Sequence, residues 1–350
     1  MTMDFTQAPL VIFWEITRAC ALVCRHCRAQ AQPKRHPLEL TTQEGFRLLD
    51  QMAEFGNRPI VIITGGDALM RRDVFDFISY GLSKGLIVSL SPSATALVRP
   101  DTLRWLKEAG LSRISFSLDG ARPETHDTFR GVVGAFQRTQ DCIADAVEAG
   151  LSLQVNTTVT RYSLPEMAAL AEIVQRSRAV LWDLFFLVPT GRALRQDMIS
   201  PQEHEQVFNW LYDLSHRSPV GVRTTLGQPY RRVMLQRQQA AAPATAGGST
   251  PSTNDGKGVC FISHIGQVQP SGFLPISVGN VRTSHLVDIY RNTPIFQELR
   301  DPCLLKGKCG VCPFNQVCGG CRARAYAMTG DYLQSDPICV FQPQEVPVAG

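Results

Sequence analysis

Between Leu10 and about Gly191 the chain alternates short apolar, β-rich runs with helix-like stretches, and this alternation narrows the choice of fold more than any other feature. The runs cover residues 10–16, 60–63, 86–90, 113–118, 151–159 and 181–188. Helical patterns lie between them at 42–55, 73–83, 100–108, 134–149 and 165–175. Thr41-Thr42-Gln43-Glu44 reads as a capping box, and Gly85, Gly110 and Gly150 read as helix ends. Near-continuous apolar strands separated by helices require an α/β fold with a parallel sheet, because parallel strands are joined by long crossovers that cover the sheet. Six such units make either an incomplete barrel or an open doubly wound sheet, and the pattern alone does not separate the two.

Beyond the alternation, 200–215 reads as a helix, 220–225 as a strand and 229–239 as a helix. Residues 240–258 are rich in Ala, Pro, Gly, Ser and Thr, as in a flexible linker or surface loop. The remainder is short, turn-rich and dense in cysteine, with a hairpin turn at His264-Ile265-Gly266, and would need metal staples. The expected organisation is therefore a barrel with flanking helices over 1–236, a linker over 237–258 and a Cys-rich domain over 259–350.

At 350 residues with 44% hydrophobic side chains the chain has material for a large core. A net charge of +4 is too small to suggest nucleic-acid binding. The 29 Arg against 6 Lys suit anionic small molecules, since guanidinium forks match carboxylates, although genome base composition produces the same bias. No apolar run approaches 18 residues and no signal-peptide pattern opens the chain, so a cytoplasmic protein away from membranes is expected. Eleven cysteines in that compartment point to metal rather than disulfides.

Their spacing agrees. Cys20-Ala-Leu-Val-Cys24-Arg-His-Cys27 directly follows the first strand, at the sheet end where such folds place their chemistry. Three thiolates on one loop can hold three irons of a [4Fe-4S] cube and leave the fourth open for a ligand. A zinc site completed by His26 or a distant residue is the simpler alternative. A second set, Cys309-x2-Cys312-x5-Cys318-x2-Cys321 with Cys339 further on, fits either a zinc ribbon or an iron–sulfur site. Cys142, inside a helical pattern, reads as a buried thiol.

The first motif and its setting resemble the radical S-adenosylmethionine (SAM) superfamily. That resemblance implies a partial (β/α)6 TIM-like barrel in which Cys20, Cys24 and Cys27 ligate the cube while the methionyl amine and carboxylate of SAM chelate the open iron. Gly65-Gly66-Asp67 is similar to the segment that meets the methionyl amine, with Asp67 where Glu is commoner. Ser117 and Asp119, in Ser115-Phe-Ser117-Leu-Asp119-Gly120, are similar to the stretch that meets the ribose and carboxylate. Asn156 and Val188 correspond to ribose and adenine contacts, and His26 stands where an aromatic residue is usual.

The C-terminal set resembles the SPASM-type extension, which implies an auxiliary cluster on Cys309, Cys312, Cys318 and Cys339. Cys321, Cys260 and Cys303 are then candidates for a second one. Ser271 occupies a position where that second cluster normally has a cysteine, and Cys318-Gly-Gly-Cys321 is one residue shorter than the common spacing.

The segment from Cys318 to Tyr332 is similar to radical enzymes of alternative heme and heme d1 biosynthesis, which implies a tetrapyrrole substrate such as iron-coproporphyrin and oxidative decarboxylation of its propionates. Arg322 and Arg324 would then hold propionates, against the simpler reading of a solvated helix face. A low-potential donor such as flavodoxin or ferredoxin is implied as partner. Two other readings compete: a peptide-modifying maturase, and a zinc-bound scaffold or electron-transfer protein with no catalysis. Only nine residues precede the first strand, too few for the peptide-recognition domain common in maturases, which favours a small molecule.

Overall fold

The structure, a computed structural model, describes residues 3–241 and 252–343. Seven strands run in chain order across one sheet: β1 (Val11–Glu15), β2 (Ile60–Thr64), β3 (Ile87–Leu90), β4 (Arg113–Ser117), β5 (Leu153–Val159), β6 (Leu181–Phe186) and β7 (Gly221–Thr225). All neighbouring pairs are parallel. The intervening helices are α1 (Thr42–Ala53), α2 (Val74–Ser83), α3 (Pro100–Glu108), α4 (Pro123–Arg130), α5 (Ala135–Glu148), α6 (Met167–Arg176) and α7 (Pro201–Ser215). A doubly wound sheet reverses its strand order at a switch point; β1 to β7 do not, so right-handed crossovers place the helices between them on the same face. The barrel-type winding is thereby separated from the open alternative.

Side-chain alternation follows from that single covered face. Ile12, Trp14 and Ile16 on β1 and its exit, Val61 and Ile63 on β2, and Trp182, Leu184 and Phe186 on β6 are buried in one core beneath the helices. The other face is mixed: Val11, Phe13, Ile60 and Ile62 on β1 and β2 are apolar, whereas Glu15 ends β1 and Ser115, Ser117, Gln154, Asn156 and Asp183 make β4 to β6 polar.

After α8 (Pro229–Ala241) the sheet continues rather than ending. β8 (Val259–Ile262) lies parallel to β1, with Val11 opposite Val259, and the antiparallel β9 (Gln267–Gln269) and β10 (Gly279–Asn280) extend it to ten strands. The predicted hairpin at Gly266 is the β8–β9 turn. Short helices α9 (Leu286–Asn292), α10 (Pro294–Arg300), α11 (Gly307–Gly310) and α12 (Arg322–Thr329) complete the chain.

Of the expected linker, 242–251 lies outside the described residues. Its two ends depart from the expectation: 237–241 belongs to α8, and 252–258 contains the buried Asn254 and Asp255. The latter stretch is held because Leu10 and Val11 donate to Gly258 O and Asn254 Nδ2 donates to Gly320 O. Among the described residues no helix is long and apolar enough to cross a membrane.

Candidate active site

The loop carrying Cys20, Cys24 and Cys27 leaves β1 and is pinned at four places. It closes on itself where Cys20 N donates to Gln32 O (2.9 Å) and Gln32 N to Arg18 O (3.0 Å). The exit of β2 runs alongside, with Gly66 N on Thr17 O (2.8 Å) and Asp67 N on Ala19 O (2.7 Å). Glycine is required at 65 and 66 because a Cβ would stand 2.6 Å from Thr17 O and 2.4 Å from Ala19 O, respectively. The end of α4 supplies a third fastening, Arg25 N on Phe129 O (2.8 Å), and Gly131 packs on Val23 O. After β6, Arg192 is the fourth: its Nε donates to Cys24 O (2.9 Å) and its amide to Cys27 O (3.1 Å).

The three thiols gather with Leu22 in one small apolar cluster. Each sulfur receives an N–H: Cys20 from Leu22 N (3.3 Å), Cys27 from Ala31 N (3.3 Å) and Cys24 from Arg130 Nη1 (3.6 Å). Cys20 also meets Ser93 Oγ at 3.4 Å. Burial pushes the Cys20 thiol up, so a cationic partner is what would hold it as thiolate.

The remaining predicted residues sit at successive strand ends. Asp67 is buried and fully engaged, with Oδ1 accepting from Leu69 N and Ser93 N and Oδ2 from Thr95 Oγ1; burial raises its pKa. Ser117 ends β4 opposite Asn156 of β5, and Asn156 Oδ1 accepts from Gln154 Nε2 (2.7 Å). Asp119 is buried beside Arg130, which pairs with its Oδ2, while Thr158 N donates to Oδ1 (2.6 Å). Burial opposes its charge, but the Arg130 guanidinium outweighs that and holds the carboxyl below its ordinary range. Val188 is buried beyond β6 in a cluster with Leu226, Leu274 and Cys321. His26 stacks on Phe129 at 4.3 Å, and burial lowers its pKa to about 4, so the ring is neutral.

Two observations bear on whether a cofactor suits this loop. The donor set is three thiols, each already served by the N–H a cluster thiolate uses. Buried polar atoms without a partner among the described residues also collect here: Arg18 Nε, His26 Nδ1, Arg130 Nε and Arg192 Nη2. A loop designed only to pack would leave few such donors. The residues fit a cube with an oxygen-rich ligand.

A second site lies on the C-terminal segment. An open pocket is lined by Cys309, Cys312, Cys318 and Cys339 together with Arg232 and Phe314. Gly320 N donates to Cys318 Sγ (3.4 Å). Burial raises Cys312, Cys339 and Cys318, the last to about 12. No three His, Cys, Asp or Glu side chains among the described residues converge as a single-ion site.

The other cysteines are dispersed. Cys321 is buried beside Val188 and 4.0 Å from Asp255 Oδ2; Cys260 is buried opposite Ile12 under the sheet; Cys303 is exposed. Cys142 is buried within α5, as expected from its residue type.

Arg322 and Arg324 require correction. Neither lies on a solvated helix face or is free for a substrate carboxylate, being 1% and 0% exposed. Arg324 spends its fork on Asp336 and on Phe186 O, Leu187 O and Leu226 O, which ties α12 to the ends of β6 and β7. Arg322 serves Gly320 O, Tyr332 O and Gln334 O. The supporting residues Ser93, Thr95, Arg130 and Arg192 were not singled out from sequence; they belong to no motif, and only their long-range partners reveal them.

A model of the radical SAM superfamily matches residues 14–172. The AdoMet-dependent heme synthase of Oleidesulfovibrio alaskensis is 41% identical over 354 residues, covering 99% of this chain and 91% of that protein. A protein of the same name from Methanosarcina barkeri is 42% identical, covering 97% and 98%. Among solved structures, Streptococcus suis SuiB bound to S-adenosylmethionine superposes with a TM-score of 0.75 at 16% identity, covering 96% of this chain and 78% of that one.

Proposed function

The chain belongs to the radical SAM superfamily, and from that premise we infer that it performs the reaction class of the heme synthases it resembles: oxidative decarboxylation of propionates on an iron tetrapyrrole. End-to-end identity of 41–42% with two such synthases carries this reading. Cys20, Cys24 and Cys27 would hold three irons of the SAM-binding cube. Gly65, Gly66, Asp67, Ser117, Asp119, Asn156 and Val188 would meet SAM, with Asp67 and Asp119 acting through the backbone they fix. When bound, the cube and SAM supply a 5′-deoxyadenosyl radical that removes a hydrogen atom from the substrate. The protein's own work is to orient the propionate and exclude other hydrogen donors, and the polar side chains of β4 to β6 would serve that purpose.

Cys309, Cys312, Cys318 and Cys339 would hold one auxiliary cluster. Cys321 is left out of it: its sulfur faces Asp255 and the Val188 cluster. A reduced donor of the flavodoxin or ferredoxin class supplies the initiating electron. The substrate we propose is iron-coproporphyrin, as the resemblance to the heme-pathway enzymes implies.

Anaerobic reconstitution followed by titration with iron-coproporphyrin tests the reading. The Soret band is expected to shift and 5′-deoxyadenosine formation to rise, with loss of CO2 from the porphyrin by mass. No shift and no stimulation would overturn the heme assignment. Stimulation by a short peptide instead would favour the maturase alternative.

A further inference from the structure

Arg322 is a buried cation with no carboxylate to balance it. Nε donates to Gly320 O (3.2 Å), Nη1 to Tyr332 O (3.0 Å) and Gln334 O (2.7 Å), and Nη2 points at Cys309 Sγ (3.6 Å). Apart from the sulfur, every acceptor is a neutral carbonyl. The surrounding carboxylates are engaged elsewhere: Asp336 pairs with Arg324 and Asp331 with Lys306. Asp255 makes no ion pair with Arg322: its Oδ2 accepts from Ala323 N (2.9 Å). A guanidinium does not shed its proton, and an isolated buried charge is costly. The balancing negative charge must therefore come from whatever Cys309 helps to hold.

The backbone is shaped to bring the two together. Gly320 adopts φ +63°, and a Cβ there would stand 2.5 Å from Arg322 Nη2 and 3.1 Å from Cys309 Sγ.

The SAM-side loop has the same contact with the opposite charge balance. Arg130 Nη1 reaches Cys24 Sγ, also at 3.6 Å, but its Nη2 pairs with Asp119. That guanidinium is neutralised in place.

Resting on the auxiliary-cluster reading above, we propose that Arg322 raises the reduction potential of the auxiliary cluster, whereas Asp119 cancels the equivalent effect of Arg130 at the SAM-binding cluster. A nearby uncompensated cation stabilises the more negative, reduced state, and a compensated one does so far less. The asymmetry gives the electron a direction. Once hydrogen abstraction has left R–CH•–CH2–COO−, the C–C bond to the carboxylate breaks to give R–CH=CH2, CO2 and one electron. A cluster held by Cys309, Cys312, Cys318 and Cys339 would supply the one-electron acceptor for that step, with Arg322 favouring its reduced form; no proton moves in this step.

The test is an EPR-monitored redox titration of the reconstituted holoenzyme without substrate. Arg322→Gln is expected to move the auxiliary potential to more negative values and leave the SAM-binding cluster where it was. Arg322→Lys should restore part of the shift. Asp119→Asn, which exposes the Arg130 charge, should move the SAM-binding cluster to more positive values. If Arg322→Gln does not retain the auxiliary iron, the Arg322→Lys and Asp119→Asn titrations decide. Unchanged potentials in variants holding both clusters overturn the inference alone. A wild-type protein with only one EPR-active cluster overturns the auxiliary-cluster reading, and this inference with it.

Discussion

At the scale of single residues, Gly66 shows how a motif position acts through backbone space. It lies where β2's exit presses on Arg18 and Ala19, and any side chain would displace the carbonyl that Asp67 N uses. Gly66→Ala is expected to cost about 2 kcal/mol or more, since the clash is with backbone rather than with a flexible side chain. It should also lower iron retention after reconstitution. Wild-type iron content and an unchanged denaturation midpoint would contradict this. The Gly-Gly-Asp motif and the cysteine spacings were readable in the sequence because each is a local pattern with a local cause. Arg322 and Arg324 were not, since a charged residue in a helical stretch gives no sign of which buried carbonyls will surround it.

At the scale of elements, β1, the cysteine loop and the β8–β9 turn are joined by one buried group. Glu15, 3% exposed at the end of β1, accepts from Arg28 Nη2 (2.7 Å), next to Cys27, and meets His264 Nδ1 (2.9 Å) after β8. Arg28 also stacks over Phe261 of β8 at 4.5 Å. Removing one partner strands the other charge, so Arg28→Met should destabilise the protein by about 3 kcal/mol. Glu15→Gln combined with Arg28→Met should recover part of the loss in urea unfolding; a double variant no better than Arg28→Met would refute the coupling. Strands and helices over the first two hundred residues were legible from periodicity except α4, whose Pro123–Arg130 stretch carries only two buried residues, His126 and Phe129, and the turn at Gly266 was legible from its composition. That β8 would lie against β1 was not, because pairing between segments so distant leaves no periodic mark on either.

For the whole molecule, buried histidines set a pH limit. Burial lowers His126 and His204 to about 4; Arg130 assists at His126, opposed by Asp119, and Arg324 assists at His204. Both rings stay neutral in the fold but bind protons when unfolded, near the ordinary value of 6.5. The unfolded state thus gains protons as pH falls below that value, and stability declines toward pH 4. Each ring should contribute a loss of about 1 kcal/mol between pH 7.5 and pH 5.5. His204→Phe, which keeps the ring's packing against Phe186, should show that much smaller a decline by urea denaturation under anaerobic conditions; equal declines would contradict it.

The β1–β8 pairing also has a consequence during synthesis. A ribosome must deliver residue 259 before the strand beginning at residue 11 acquires its second neighbour, so one flank of that strand, adjoining the cysteine loop, stays bare through most of translation. Truncated chains ending before residue 259 should accordingly precipitate rather than accumulate as half-built enzyme.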